Sequence, residues 1–333
     1  MTGQTAHVVD EVEKTLRDEA FNTTRIVNTP KTHCCDVIAT SQDHSISLIT
    51  KIVENIDTTE KEMMIEMLLL GYFLKATPIL IGIYNRRNEL EDNTVYFRLD
   101  GHIIAINLYT LIQIIKHNIH PLRIAKRGGY LYKIDGEELK QLREEQSFSR
   151  KTLSEKMRIS TKTIAEYERK KSVYSQLHHV ELLEDILSTE IKKPIHIFDL
   201  PKKTKQIIQN RPSAQSQHIE IAEEISEILS ELGIFQFWTS NSPFDVFFLI
   251  PGYENNLQII SGVFSNIQEE DLNRLYNIAQ MVKIRNKMGP VRAIVEEPQD
   301  VKECKKVGII PIESKKLKTA KEAKEIVKIL SIR

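Results

Sequence analysis

Two stretches offset by 209 to 212 residues repeat one order of apolar runs and turns, and this duplication restricts the chain more than any other feature. The first reads CCDVIATSQDHSISLITKIVENIDTTEKEMM and the second SPFDVFFLIPGYENNLQIISGVFSNIQEEDLNRL. An Asp-Val pair opens an apolar run in each, at Asp36-Val37 and Asp245-Val246. A polar turn leads to a second run, Ile46 to Val53 or Leu257 to Phe264. Each second run ends in Asn-Ile, Asn55-Ile56 or Asn266-Ile267, and passes into a Glu-rich helix. Apolar runs of this length bounded by turn residues are strand-like. Upstream, Val8 to Glu19 and Ile219 to Leu232 space their apolar residues as amphipathic helices. Downstream, Pro78 and Pro290 each introduce a further strand. Two copies of an α-β-β-α-β unit are expected.

The stretch between the copies differs in kind. Gly128-Gly129 reads as a turn into a short strand, Tyr130 to Ile134, and from Asp135 to Leu187 the pattern is helical throughout. Leu200 to His218 is polar, carries two prolines and reads as a linker. The expected architecture is α+β and multidomain: an αβ domain over residues 1–122, a helical domain over 123–200, a linker over 201–218 and a second αβ domain over 219–333. The 46 basic and 46 acidic residues sum to zero, which taken whole argues against a nucleic-acid partner. By segment, residues 1–120 hold 11 basic and 16 acidic side chains, 121–212 hold 20 and 13, and 213–333 hold 15 and 17. The zero conceals a basic centre between two mildly acidic ends.

Other classes are set aside by simple absences. The apolar runs stop far short of a membrane span, and Asp10, Glu11 and Glu13 stand where a signal peptide needs an apolar core. A cytoplasmic chain with no membrane partner is expected. Three cysteines without a CxxC provide neither a disulfide framework nor a structural zinc site. Neither GxGxxG nor GxxxxGK[ST] occurs, so no nucleotide-binding enzyme, cofactor or metal is expected.

The basic centre contains SFSRKTLSEKMRISTKTIAEYERKK, from Ser147 to Lys171. Ser149 can cap a helix running to Met157, Arg158-Ile159-Ser160 makes a short turn, and Ser160 caps a second helix from Thr161 to about Lys170. Leu153, Met157, Ile159 and Ile164 converge between them, with Tyr167 or Glu168 also facing inward, which describes a helix-turn-helix. Recognition helices of this kind enter the major groove N-terminus first. Lys162 and Arg169 are then suited to guanine or phosphate, and Thr161 and Thr163 to phosphate or a thymine methyl. The full set expected to meet DNA is Arg150, Ser160, Thr161, Lys162, Thr163, Glu166, Arg169 and Lys170. Residues 149–171 hold eight basic and three acidic side chains, enough for strongly salt-dependent attraction to phosphate.

Residues 137–188 resemble the lambda repressor/Cro-like DNA-binding domain, with Leu142-Arg143, Ser149, Leu153, Ile159-Ser160, Ile164 and Glu168 at its spacing. The resemblance implies a central all-α five-helix module whose last two helices come from Gln176 to Leu187. The pattern is departed from at Arg150, where Gln is usual, at Arg158, which replaces a turn glycine, and at Lys170 or Lys171, where a glycine often follows. The chain as a whole is similar to a group of archaeal helix-turn-helix transcriptional regulators. The shared tracts are Asp36-Val37-Ile38-Ala39, Leu48-Ile49-Thr50-Lys51, Asn55-Ile56-Asp57 and Ala125 to Gly136.

The αβ units resemble the restriction-endonuclease-like core. Active members place an Asp on one strand and Glu-x-Lys on the next, the carboxylates holding a divalent metal that activates water. Here the first copy keeps Asp36 and Lys51 but has Ile49 at the Glu position, and the second has Asp245 with Ile260-Ser261-Gly262. Both copies are expected to be catalytically silent, with Asp36, Lys51 and Asp245 vestigial and Lys51 a strand-end surface residue or phosphate contact. Of the smaller features, His178-His179 reads as a diverging pair and Cys34-Cys35 as a half-buried strand edge. Phe235 to Trp238 read as strand core or a dimer contact, and Lys315 to Arg333 as one lysine-rich solvated helix.

The expected function is a transcription regulator that binds double-stranded DNA as a homodimer, with the αβ units serving dimerisation or sensing of an unidentified effector. The alternatives are a metal-dependent nuclease or resolvase targeted by the helix-turn-helix, and an antitoxin-like protein-interaction adaptor.

Overall fold

A computed structural model describes residues 3–26, 33–86, 88–199, 220–250, 257–264, 267, 271, 276, 291–306 and 308–331. The expected linker over 201–218, Asn266, Pro290 and most of the helix expected after Asn266 in the second copy lie outside them. In chain order the first elements are α1 (Gly3–Asp18), β1 (Phe21–Arg25), β2 (Val37–Ser41), β3 (Ser47–Asn55), α2 (Lys61–Leu74) and β4 (Thr77–Asn85). The middle of the chain forms β5 (Asn88–Glu89), β6 (Thr94–Arg98), β7 (Ile103–Ile106), α3 (Leu108–His117), β8 (Arg123–Lys126), β9 (Gly129–Ile134), α4 (Gly136–Glu145), α5 (Arg150–Met157), α6 (Thr161–Arg169), β10 (Val173–Gln176) and α7 (Leu177–Leu187). The last third adds α8 (Glu220–Glu231), β11 (Phe235–Trp238), β12 (Val246–Ile250), β13 (Leu257–Phe264), β14 (Val291–Val295), α9 (Pro298–Lys306), β15 (Ile310–Glu313), α10 (Ser314–Lys318) and α11 (Ala323–Ser331).

Two compact units result, and they do not follow chain order. One comprises Met1–Ile52, Thr58–Ile79 and Lys202–Arg333, the other Val53–Asp57 and Leu80–Pro201. Residues 80–122, expected with the first αβ domain, cluster instead with the centre, and the two αβ copies share a unit.

Within the first unit the repeat is visible bond by bond. β1 and β2 pair antiparallel from Phe21↔Ser41 to Arg25↔Val37, as β11 and β12 do from Phe235↔Leu249 to Trp238↔Val246. β3 and β13 then pair antiparallel with β2 and β12. The backbone N–H of Asp36 donates to Thr50 at 2.8 Å, and that of Asp245 to Ser261 at 3.0 Å. The Asp36 carbonyl accepts from Ile26 and the Asp245 carbonyl from Thr239. The expected α-β-β-α-β order gains a strand after the first helix in each copy, β1 and β11, of which the sequence marks only Phe235 to Trp238. In the first, Phe-Asn-Thr-Thr-Arg carries one apolar residue and none of the five is buried. Backbone pairing to β2, not apolar burial, makes it a strand, so no hydrophobic pattern marks it.

Helix α1 buries Val8, Val9, Val12 and Leu16, the amphipathic stripe expected of it, and lies against β1 and β2. In the second copy Ala222, Ile225 and Leu229 of α8 join Trp238, Val246, Phe248, Ile259 and Val263 in one core. Trp238 is strand core, 3% exposed. The copies meet through α2, where the buried Glu66 carboxylate accepts from the backbone N–H groups of Ser240 (2.8 Å) and Asn241 (2.7 Å) and the Ser242 hydroxyl (3.1 Å). Phe73 packs edge-on against Phe247 with centroids 5.6 Å apart. Cys34 and Cys35 are fully buried rather than at a half-buried edge, and the hydrogen bond the Cys35 thiol makes to Cys34, together with burial, pushes its pKa well above the usual value. The lysine-rich C-terminal stretch forms two helices, α10 and α11.

The second unit corrects the expectation of an all-α centre. β6 pairs antiparallel with β7 and parallel with β8, and β8, β9 and β10 continue as antiparallel neighbours. Val173–Gln176, expected as helix, is β10, and Gln176 to Leu187 supplies a single helix rather than two. Lys170 to Ser172 leave the helical path because Lys170 is extended, and Val173 then takes its place opposite Ile134. Side chains from both layers close one core: Ile134, Leu139, Leu153, Met157, Ile164, Val173, Val180, Leu183 and Leu187. Gly136 marks where α4 starts hard against the end of α6; a Cβ there would stand 2.0 Å from the Tyr167 carbonyl oxygen and 2.3 Å from that of Lys170. Among the described residues no helix is long and apolar enough to cross a membrane.

Candidate nucleic-acid interface

Helices α5 and α6 form as their caps dictate. The Ser149 hydroxyl accepts from the Thr152 N–H at 3.0 Å, and the Ser160 hydroxyl from the Thr163 N–H at 3.0 Å. Between them Arg158 sits in the left-handed region at φ 54°, ψ 37°, and its N–H donates to the carbonyls that α5 leaves open at Ser154 and Glu155. This is the turn position where glycine is usual, and an L-residue holds it at a cost of about 1 kcal/mol. A second clasp crosses the turn, Ser154 Oγ to Thr161 Oγ1 at 2.9 Å. Leu153, Met157 and Ile164 are buried beneath the pair, as their spacing predicts.

A buried ion network fixes α6 against α4 and α5. The Glu168 side chain is 1% exposed; Arg143 Nε donates to it at 2.5 Å and Arg150 Nε at 2.7 Å. Arg143 also donates to the Phe148 carbonyl (2.8 Å) and pairs with Glu144 (3.0 Å). Burial alone would raise the Glu168 pKa, but the bonds and charges from Arg143 and Arg150 outweigh it and hold the carboxyl below its ordinary range. The same carboxylate raises the Arg143 pKa. The spacing leaves Tyr167 or Glu168 for the inward position and Glu168 takes it; its two cationic partners are not legible in the sequence, because they come from separate helices.

The expected contact residues divide into two groups. Thr161, Lys162, Glu166, Arg169 and Lys170 are exposed along α6 and its end. Ser160 is exposed, but its hydroxyl is committed to the cap, and the Thr163 hydroxyl lies 2.8 Å from it. Arg150, placed by the sequence on phosphate, holds Glu168 while keeping a side chain 46% exposed. His178 and His179 do not diverge; their rings stand 4.0 Å apart, and burial followed by the neighbouring charge lowers the His179 pKa.

Lys51 is not a surface residue: its side chain is 7% exposed and its Nζ lies 2.9 Å from Asp36 Oδ1. The other Asp36 oxygen accepts from the Ile52 N–H at 2.7 Å, and Asp245 Oδ2 accepts from the Val263 N–H at 2.8 Å in the matching place. In both copies the Asp tethers the edge of the next strand. A divalent metal of the nuclease kind needs a second carboxylate beside the first, and Ile49, fully buried, stands there. This donor set does not fit the metal. Among the described residues no group of three His, Cys, Asp or Glu side chains is arranged to hold one.

Comparison with known proteins adds one family model and several full-length relatives. The family model described as PD-(D/E)XK superfamily domain matches residues 5–121. Full-length similarity extends to proteins provisionally named HTH-type transcriptional regulatory proteins. That of Methanobrevibacter smithii is 30% identical over 325 residues, covering 97% of this chain and 96% of its own. Those of Methanocaldococcus jannaschii (30% over 325 residues, 96% of each chain) and Pyrococcus furiosus (29% over 323 residues, 96% of each chain) are similar. No solved structure matches. At this identity over nearly the whole length of both partners, the chain belongs to the family of these archaeal HTH-type transcriptional regulatory proteins.

Proposed function

We propose that the protein is a sequence-specific regulator that binds double-stranded DNA through α5 and α6, a lambda repressor/Cro-like helix-turn-helix. The observation that carries this reading is the exposed polar arc of α6, Thr161, Lys162, Glu166 and Arg169, starting directly after the Ser160 cap on a helix anchored by buried Glu168. An exposed N-terminal turn carrying Lys162, with Arg169 about two turns further on, suits insertion into a major groove. Lys162 and Arg169 reach base edges or phosphate, while Lys170, Arg158 and the exposed arm of Arg150 meet the backbone. The αβ repeats act as platforms for homodimerisation or effector sensing, and the dimer reads half-sites about one DNA turn apart. The names carried by the full-length relatives support the same assignment.

The test is selection of bound sequences from a random duplex pool, repeated with Lys162→Ala. Altered sequence preference assigns Lys162 to base readout, and uniform weakening assigns it to phosphate. Absence of preference for any duplex over a polyanion competitor at about 0.15 M salt sinks the reading.

A second reading, a metal-dependent nuclease, is favoured by the superfamily match over residues 5–121. Against it stand Ile49 at the second carboxylate position and an Asp36 whose two oxygens are both hydrogen-bonded. Duplex cleavage with magnesium or manganese that Asp36→Ala abolishes would establish it; inertness with both metals removes it.

A further inference from the structure

The second unit holds a concave basic surface away from α5 and α6. A cleft of about 490 Å³ brings together Asp57, Arg86, Phe97, Arg98, Lys126 and Arg127. Arg98 is fixed in its wall: the guanidinium pairs with Asp57 at 2.7 Å and donates to the carbonyls of Ile56 (3.3 Å) and Phe97 (2.8 Å). Asp57 is thereby neutralised. Arg86, Lys126 and Arg127 are exposed and carry no ion pair among the described residues. Three cations converging on a concavity without a counter-charge raise its potential, and an anion relieves their repulsion.

The geometry around these cations is built rather than loose. Lys126 pairs with Gly129 to close the β8–β9 hairpin over a two-residue loop, Arg127-Gly128. Gly128 has φ 94° with nothing within 4 Å of a Cβ, so backbone conformation and not space requires glycine there. Arg86 occupies the left-handed region at φ 57°, its carbonyl held by the Asn55 amide at 2.8 Å. The Lys126 ammonium stands 5.9 Å from the Phe97 ring centroid. Asn85 and Asn88 complete the polar lining.

We propose that this cleft binds a nucleotide-sized organic phosphate, with Arg86, Lys126 and Arg127 on the phosphoryl oxygens and Phe97 beside the organic ring. Its volume lies in the range of about 300–1,000 Å³ typical of small-ligand sites. Guanidinium and ammonium groups bind phosphate through charge-assisted hydrogen bonds, and the Asn amides supply polar edges for a base or sugar. The cleft also has a mechanical connection to the proposed DNA reader. β9 pairs with β10, which directly follows α6, and the Tyr167 hydroxyl joins the Ser175 hydroxyl at 3.1 Å. A regulatory meaning for ligand binding rests on the DNA-binding reading; the binding site itself does not.

The experiment is calorimetric titration of the full chain with ATP, AMP and inorganic pyrophosphate at about 0.15 M salt. The expected order is ATP tightest, and Lys126→Ala/Arg127→Ala weakens ATP by about tenfold or more. Phe97→Ala weakens ATP and leaves pyrophosphate unchanged, with circular dichroism checking that each variant folds. No binding of any of the three at about 1 mM, or equal ATP affinity in the doubly substituted protein, overturns the proposal. So does loss of duplex affinity in that variant with no nucleotide bound by the wild type, which assigns the cations to a DNA backbone. Lys162→Ala/Arg169→Ala separates the two readings: it lowers duplex affinity and leaves ATP binding intact.

Discussion

Replacing Glu168 with Ala removes a carboxylate that is 1% exposed from between two guanidinium groups. Breaking a buried pair from one side costs about 3–5 kcal/mol, because the surviving charge is left desolvated. Two features place this case at the low end. Arg143, 8% exposed, retains the Phe148 carbonyl and Glu144, and Arg150, 46% exposed, regains water and contributes little of its own. A loss of about 3 kcal/mol is therefore expected, roughly a hundredfold in the local opening equilibrium. Amide hydrogen exchange resolves it by element: protection in α4, α5 and α6 falls by that factor. The pH dependence carries a sign. Because the folded Glu168 pKa lies below the unfolded value near 4.5, the network stabilises above that pH and the contribution is lost as pH falls through the folded value. Glu168→Gln removes that acid slope, and Arg143→Met/Glu168→Leu, which deletes the main pair together, costs far less than Glu168→Ala. A change below about 1 kcal/mol in Glu168→Ala, or an unaltered acid slope in Glu168→Gln, refutes the anchoring role.

Arg158→Gly relieves a left-handed residue and is expected to raise stability by about 1 kcal/mol in denaturant titration, despite the loss of a cation. Gly136→Ala sets a methyl against two backbone carbonyls that cannot rotate away; it is expected to cost about 2 kcal/mol or more and to reduce duplex affinity by displacing α4 from α6. Glu66→Ala strands the N–H groups of Ser240 and Asn241 and is expected to cost about 2–3 kcal/mol, read as faster exchange at those two amides. Burial raises the Glu66 pKa despite those hydrogen bonds, so the wild type loses stability as pH climbs from the unfolded value near 4.5 through the folded one, a slope the variant lacks.

Local rules made the reader helices legible. A serine before each helix and Leu153, Met157 and Ile164 at helical spacing are short-range signals, and the structure uses each as expected. The repeat was legible for the same reason, since each copy writes its apolar runs in full. Elements made by pairing alone were not. β1 has no apolar stripe, and Val173–Gln176 sits in a helical-looking run until β9 offers it a partner. Polar residues were the hardest to place: Lys51 reads as a surface cation until a carboxylate fifteen residues away meets it in a buried site.

By itself the sequence determined that α1, α5 and α6 are helices, where α5 and α6 start, which of their apolar side chains are inward and that the positive charge is concentrated in the middle. These depend on spacing along one element, where the geometry is known in advance. Tertiary structure alone decided that residues 80–122 cluster with the centre, that both αβ copies share a unit, and that Glu66 and Glu168 are each held by groups distant in the chain. It also decided which of the basic residues are committed to carboxylates, as Lys51, Arg98 and Arg143 are, and which stay open to a partner, as Lys162, Arg169 and Arg127 do. A cation looks the same in sequence in either state; only the position of an opposite charge in three dimensions separates them.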